Sequence, residues 1–138
     1  MAETAGFKRA LRKVYLAAKR EALPATLAAA KDMADTMRRV APVSSGNLVQ
    51  SIKVVVDVSD SKVLIKAGGK LTTKEVRKGS GVPYDYAFAQ EFGTKDMPAS
   101  PFFWPVYRLK KKNARARMTR ALKRAVALEA KKQGLGDG

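Results

Sequence analysis

The residue pattern predicts an α+β fold: a small antiparallel β-sheet with a central hairpin, packed by N-terminal helices and a long basic C-terminal helix. Three observations carry this. Apolar residues recur at helical spacing through roughly the first forty positions, hydrophobic residues alternate with polar ones on either side of a short turn at 59–61, and the chain closes on a charged helical stretch with one thin apolar stripe. With 138 residues, 46% of them hydrophobic and 29% charged, the chain can bury the modest core of one globular domain, so residues 1–138 are expected to form a single unit without internal repeats.

The elements follow in order. Phe7, Leu11, Val14 and Ala18 lie on one side of a helix spanning about residues 4–22, with cations mostly between them. Pro24 lacks an N–H and crowds the preceding turn, while Leu27, Ala30, Ala34 and Met37 resume the same period. The expectation is a kink, or a break and a second helix, ending before Pro42. The Ala-rich stretch at 27–30 suits either a close helix contact or simple helix propensity. After Pro42, Ser44 or Ser45 can cap a short helical turn opened by Gly46 and Asn47, which places Leu48 and Ile52 on one side.

Ile52, Val54, Val56 and Val58 then alternate with Lys53, Val55 and Asp57, and Val63, Leu64 and Ile65 follow the turn, so an antiparallel hairpin with one buried face is expected. Residues 68–81 (GGKLTTKEVRKGSG) are framed by glycine and have no apolar period; they read as a mobile loop. Tyr84, Ala87, Phe88 and Glu91 fall at i, i+3, i+4 and i+7, favouring a short helix closed by Gly93 in the left-handed region. A strand stays open, because Tyr86, Phe88, Gln90 and Phe92 also alternate. Phe88 and Phe92 read as core. Glu91, an acid among aromatics, reads as the partner of an arginine of its own or a neighbouring subunit, since burial without a partner is costly.

The Pro-flanked aromatics Phe102, Phe103 and Trp104 read as core anchors ahead of a helix that Pro105 starts. Along that helix Tyr107, Ala114, Met118, Ala121, Leu122, Ala125 and Leu128 form the stripe, and residues 133–138 form a flexible end.

Three segments carry most of the information: residues 41–52 (APVSSGNLVQSI), 86–94 (YAFAQEFGT) and 101–106 (PFFWPV). In order and spacing they resemble the tail-component family of long-tailed bacteriophages typified by gene product ten of phage HK-ninety-seven, whose members are read as neck or tail-completion proteins. The matching positions are Pro42, Gly46, Asn47, Leu48, Ser51 and Ile52, then Tyr86, Ala87, Glu91, Phe92, Gly93 and Thr94, then Pro101, Phe102 and Pro105. The resemblance covers nearly the whole chain and implies one further strand. Two departures stand out. Ser44 and Ser45 replace an Asp-Thr pair common in relatives, and the basic insertion at 70–81 is long.

Composition restricts the chemistry independently. The chain has no Cys and no His, which removes disulfides, thiolate metal sites, and the commonest general base and zinc ligand. No apolar run approaches the roughly 20 residues of a membrane span, and Lys8, Arg9, Arg12, Lys13, Lys19 and Arg20 interrupt any signal-peptide core, so a soluble protein made in the cytoplasm is expected. Ser44, Ser45 and Gly46 do not make a nucleotide loop, which needs a longer glycine-rich turn followed by Lys. A metal-dependent nuclease would draw on Asp85, Glu91 or Asp96 with a lysine, but the carboxylates fall in no recognisable metal spacing.

The formal charge is +16. Most of it lies in the last helix, where Arg108, Lys110, Lys111, Lys112, Arg115, Arg117, Arg120, Lys123, Arg124, Lys131 and Lys132 face one acid, Glu129. So one-sided a helix suits a polyanion or an acidic protein surface. Lys74, Arg77, Lys78, Arg115, Arg117, Arg120, Lys123 and Arg124 are the expected contacts. The aromatics are not interleaved with cations, so base stacking is disfavoured.

From the resemblance, the chain is expected to be a structural virion protein without enzymatic activity or cofactor. It would form a ring, expected to be a hexamer, at the head–tail junction or the head-proximal end of the tail, around a lumen for double-stranded DNA. Its partners would be copies of itself and neighbouring neck, tail-terminator or tail-tube proteins, with no membrane. Pro42, Gly46, Asn47, Leu48, Tyr86, Glu91, Phe92, Gly93, Phe102 and Trp104 are the expected motif or subunit-interface residues. The alternative is a nucleic-acid-binding module that grips phosphates through the C-terminal helix without reading sequence.

Overall fold

The computed structural model describes residues 2–42, 46–75 and 79–135. Its elements are α1 (Ala2–Val40), α2 (Asn47–Ser51), β1 (Lys53–Asp57), β2 (Lys62–Lys66), a 3-10 turn (Lys70–Thr72), β3 (Thr73–Glu75), β4 (Pro83–Asp85), α3 (Tyr86–Phe92) and α4 (Trp104–Lys132). The fold is α+β as the pattern predicts, with helical ends around two small two-stranded sheets, β1–β2 and β3–β4. No helix among the described residues is long and apolar enough to cross a membrane.

Contacts gather the chain into two compact units: Met1–Ala29, Val56–Val63 and Asn113–Gly138 in the first, Ala30–Val55 and Leu64–Lys112 in the second. In the first unit the buried apolar residues are all alanine, namely Ala17, Ala18, Ala29, Ala121 and Ala125. Phe7 and Leu11, expected on the inner face of α1, stay about half exposed. On α4, Met118, Leu122 and Leu128 are exposed, so the stripe is fully covered only at Ala121 and Ala125, with Ala114 half-buried. Larger side chains fill the second unit. Ala30, Met33, Ala34, Met37 and Ala41 repeat at three- and four-residue steps along the end of α1 and just beyond it, and Leu48, Ile52, Phe102 and Val106 join them in the buried set.

Pro24 does not break α1, which runs through it as one 39-residue helix. Proline removes one intrahelical hydrogen bond, but the residues around it are strong helix formers and buried side chains lie on both sides of it in sequence. Thr26 Oγ1 donates to the Ala22 carbonyl at 2.8 Å within the same turn. The helix ends where Pro42 requires, its last bond running from Ala41 N–H to the Met37 carbonyl at 2.8 Å. Arg38 then ties the helix end to the next segment, one guanidinium nitrogen donating to Asp35 Oδ1 and the other to the Ile52 carbonyl, both at 2.7 Å.

Leu48 and Ile52 are buried together, as the spacing predicts. Gly46, at φ 79°, is the N-cap of α2 and provides no side-chain cap; Ser44 and Ser45, the expected cap residues, lie outside the described residues. The β1–β2 hairpin forms, closed by a turn at 58–61. Its inner face is only partly covered: Val54, Val63 and Ile65 are half-buried, while Val56 and Val58 are exposed.

Residues 70–75 are not the loop their polarity suggests. They form the 3-10 turn and β3, which pairs antiparallel with β4 in the register Thr73 with Asp85, Lys74 with Tyr84 and Glu75 with Pro83. The anchor is polar rather than apolar, the fully buried Thr72. Residues 133–135, read as part of a flexible end, close α4 in a Schellman motif. Leu135 N–H bonds the Ala130 carbonyl at 2.8 Å and Gly134 N–H the Lys131 carbonyl at 3.1 Å, with Gly134 at φ 72°.

If Pro24 is a tolerated defect in α1, Pro24→Ala will restore the missing hydrogen bond and raise unfolding stability by about 1–3 kcal/mol. Urea unfolding monitored at the helical CD band measures it. A lower midpoint would show that the proline sets a bend the fold requires.

Candidate functional site

The site is built on Glu91. α3 carries it on its last turn, and its side chain is almost fully buried. No arginine among the described residues pairs with it. Its carboxylate instead accepts three backbone N–H groups: Phe102 and Phe103 at 2.9 and 2.8 Å on Oε1, and Trp104 at 2.9 Å on Oε2. These are the donors at the start of α4, whose first turn has no intrahelical partner for them. Residues 101–104 offer no Ser, Thr, Asp or Asn to cap the helix, and Pro105 contributes no N–H at all. Glu91 therefore caps α4 from a different helix, and its negative charge stands at the favourable end of the helix dipole.

Gly93 lets the chain turn from α3 toward that cap. It ends α3 at φ 77° and ψ 170°, outside the left-handed helical region expected for it but still a conformation open essentially only to glycine. A Cβ there would stand 2.8 Å from the Ala99 backbone nitrogen and 3.1 Å from the Met97 carbonyl. Thr94 and Met97 bond each other's backbone, and Ser100 N–H returns to the Gln90 carbonyl at 2.9 Å, so residues 93–100 fold back along α3.

Around this clasp lies an open groove of about 500 Å³, bordered by the end of β2 and the Gly68–Gly69 pair on one side and by α3 and residues 102–104 on the other. Its walls are apolar and aromatic. Phe102 is fully buried behind it, but Phe88 is 67% exposed, Phe92 55% and Trp104 44%. The expectation that Phe88 and Phe92 are core residues is therefore wrong. Helix α3 buries Ala87, Ala89 and Glu91 and turns both phenylalanines outward, their rings 4.7 Å apart. Phe103, Trp104 and Tyr107 continue the aromatic surface in edge-to-face steps of 5.2 and 5.8 Å.

A second carboxylate, Asp85, holds the other border. It is the N-cap of α3, accepting Ala87 N–H at 2.9 Å, and it also accepts Gly69 N–H at 2.7 Å and the Thr72 hydroxyl. Gly68 N–H donates to Ser51 Oγ at 3.0 Å, and Ser51 Oγ donates to the Leu48 carbonyl at 2.6 Å, which links α2 into the same network. Gly68 is required twice over, by φ 93° and because its Cβ would stand 2.5 Å from Asp85 Oδ2. Partial burial opposes the charged form of Asp85, but the bonds from Thr72, Gly69 and Ala87 outweigh it and hold the carboxyl below its ordinary value. Sequence reasoning set Asp85 aside. An Asp just before a helical period is a legible N-cap, whereas its long-range partners Gly69 and Thr72 leave no local signal.

The remaining expected residues divide clearly. Leu48 is buried, and Pro42, Gly46 and Asn47 are half-buried beside it. Tyr86 is half-buried under Lys74, whose Nζ lies 5.0 Å above the ring, so this expected anion contact is engaged in a cation–π pair. Arg77 and Lys78 lie outside the described residues. On α4, Arg115, Arg120, Lys123 and Arg124 are exposed and Arg117 is half-buried. Lys110 is drawn away from the basic face into a pair with Asp32 at 3.0 Å. Asp85 and Glu91 both spend their oxygens on protein donors, and no group of acids among the described residues could hold a metal ion.

Compared with known protein families, residues 5–93 match the model described as "Bacteriophage HK97-gp10, putative tail-component". No curated protein and no solved structure matches the chain.

Two outcomes follow from the carboxylates. Glu91→Gln keeps an acceptor for two of the three N–H groups and turns an amide N–H₂ toward the third, so unfolding stability should fall by about 1–3 kcal/mol in urea. An unchanged midpoint would show that water satisfies the start of α4 equally well. For Asp85, the lowered folded value means that its stabilisation is complete above the ordinary carboxylate range and is lost as pH falls through the folded value. Asp85→Asn should therefore be less stable at neutral pH and show a shallower loss of stability in acid, read from urea midpoints across an acid pH series. Parallel curves for the two proteins would contradict this.

Proposed function

The chain belongs to the HK97-gp10-like family of bacteriophage tail components, and from that premise we propose that it is a structural, non-enzymatic virion protein that works by assembly. It closes a ring, expected to be a hexamer, at the head–tail junction or head-proximal end of the tail. The lumen passes double-stranded DNA, and neighbouring neck, tail-terminator or tail-tube proteins stack against the ring. The observation that carries this reading is the groove, which leaves Phe88, Phe92 and Trp104 exposed to water around the buried Glu91 clasp. Contiguous exposed aromatics of this kind mark interaction surfaces rather than stable free ones. A head-to-tail contact through such a surface closes into a ring when its rotation permits.

The basic face of α4 supports the lumen. Its cations spread around the helix rather than along one recognition edge, which suits contact with phosphates irrespective of base sequence.

Size-exclusion chromatography with multi-angle scattering, on the protein alone and mixed with tail tubes, tests the assembly. Wild type should form a discrete ring, alone or on the tube, while Phe88→Ser with Phe92→Ser should remain folded and monomeric. Normal rings from the double variant would remove the groove from the interface. Replacing Arg120, Lys123 and Arg124 with Gln should weaken duplex binding equally on unrelated sequences and reduce its salt dependence. Tight binding by the free monomer at physiological salt, or strong sequence preference, would favour a dedicated nucleic-acid-binding module instead.

A further inference from the structure

In the first unit, a cleft of about 250 Å³ opens between α1 and α4, lined by Arg20 and Glu21 from one helix and by Arg124, Glu129 and Lys132 from the other. Its floor is small. Ala17, Ala121 and Ala125 are buried there, and the exposed Leu128 is the larger apolar side chain of the lining.

The charges in the cleft are unequally satisfied. Glu129 Oε1 accepts from Gln133 Nε2 at 3.0 Å, and its Oε2 stands 4.0 Å from Lys132 Nζ. Arg20 and Arg124 have neither an ion pair nor a hydrogen bond among the described residues. Two guanidiniums from different helices thus border one cavity whose lining carries three cations, Arg20, Arg124 and Lys132, against two carboxylates, Glu21 and Glu129. Each offers a planar fork of donors suited to a tetrahedral oxyanion, and bringing both to one cavity costs repulsion that an anion between them would remove.

We propose that this cleft is a discrete phosphate-binding site, in which Arg20 and Arg124 grip one phosphate group from opposite helices while Glu21, which has no ion pair among the described residues, weakens the grip. The phosphate is a backbone phosphate of double-stranded DNA or free phosphate; only the first source rests on the DNA-passage reading above. A gripped phosphodiester would differ from the diffuse attraction of the rest of α4, because it would fix the position of the strand against the protein.

The test uses the full chain and two probes, inorganic phosphate and a short random-sequence duplex, at constant ionic strength with chloride exchanged for phosphate. Phosphate should raise the melting temperature saturably. Arg20→Gln and Arg124→Gln should each lower phosphate affinity about tenfold, and the double variant should lose little more, since half a grip already fails. Glu21→Gln should tighten binding. Arg12→Gln and Lys13→Gln, on α1 but outside the cleft, should leave phosphate binding unchanged. The absence of a saturable phosphate effect in wild type, or equal losses from Arg12→Gln and Arg124→Gln, would overturn the site in favour of a diffuse field. If the cleft variants weaken duplex binding in the same proportion, the source is DNA; if they alter phosphate binding alone, the site stands and its ligand is free phosphate. Ring formation, measured separately by scattering, is unaffected by either outcome.

Discussion

The buried carboxylate of Glu91 is the interaction on which the second unit depends. A buried acid is unfavourable unless its lone pairs are satisfied, and the start of a helix is unfavourable unless its N–H groups are satisfied. Here each requirement meets the other, through three bonds of 2.8–2.9 Å between α3 and the first residues of α4. The same bonds fix where Phe102 enters the core and where Trp104 and Tyr107 emerge. Gly93 makes the arrangement possible, because a side chain at that turn would collide with the returning backbone.

Asp85 repeats the device six residues earlier in the chain, at the opposite end of α3. It caps that helix and gathers the Gly68–Gly69 turn and Thr72 onto it, while Ser51 brings in α2. The two carboxylates that would be the natural candidates for catalysis are therefore both used to join backbone segments. Between them hydrogen bonds hold the borders of the groove in front of the buried Phe102, and Phe88, Phe92 and Trp104 face outward.

Local periodicity made part of this legible. The hairpin, the helical form of residues 86–92, the burial of Leu48 with Ile52 and the stop before Pro42 all follow from spacings of two or three to four residues and from proline chemistry. Phe88 and Phe92 were misread because the rule that large apolar residues lie inside holds poorly on a short helix whose inner face is filled by two alanines and an acid. The order at 70–75 was hidden because its anchor is the polar pair Thr72 and Asp85, which has no hydrophobic period. The partner of Glu91 was missed because backbone N–H groups have no residue signature. One sign did exist: α4 begins with no capping side chain of its own and a proline in its first turn, so a cap had to arrive from elsewhere.

Family membership, an exposed aromatic groove and a strongly basic helix are mutually consistent with a protein whose chemistry is assembly around a polyanion. All of it presupposes that the Glu91 clasp forms in solution. Amide hydrogen exchange at Phe102, Phe103 and Trp104 in the wild-type protein tests this most directly, since no helical carbonyl protects these three N–H groups. The account predicts protection comparable to that of the buried end of α1 at Met37 and Ala41. Exchange at the rate of an unstructured peptide would contradict it.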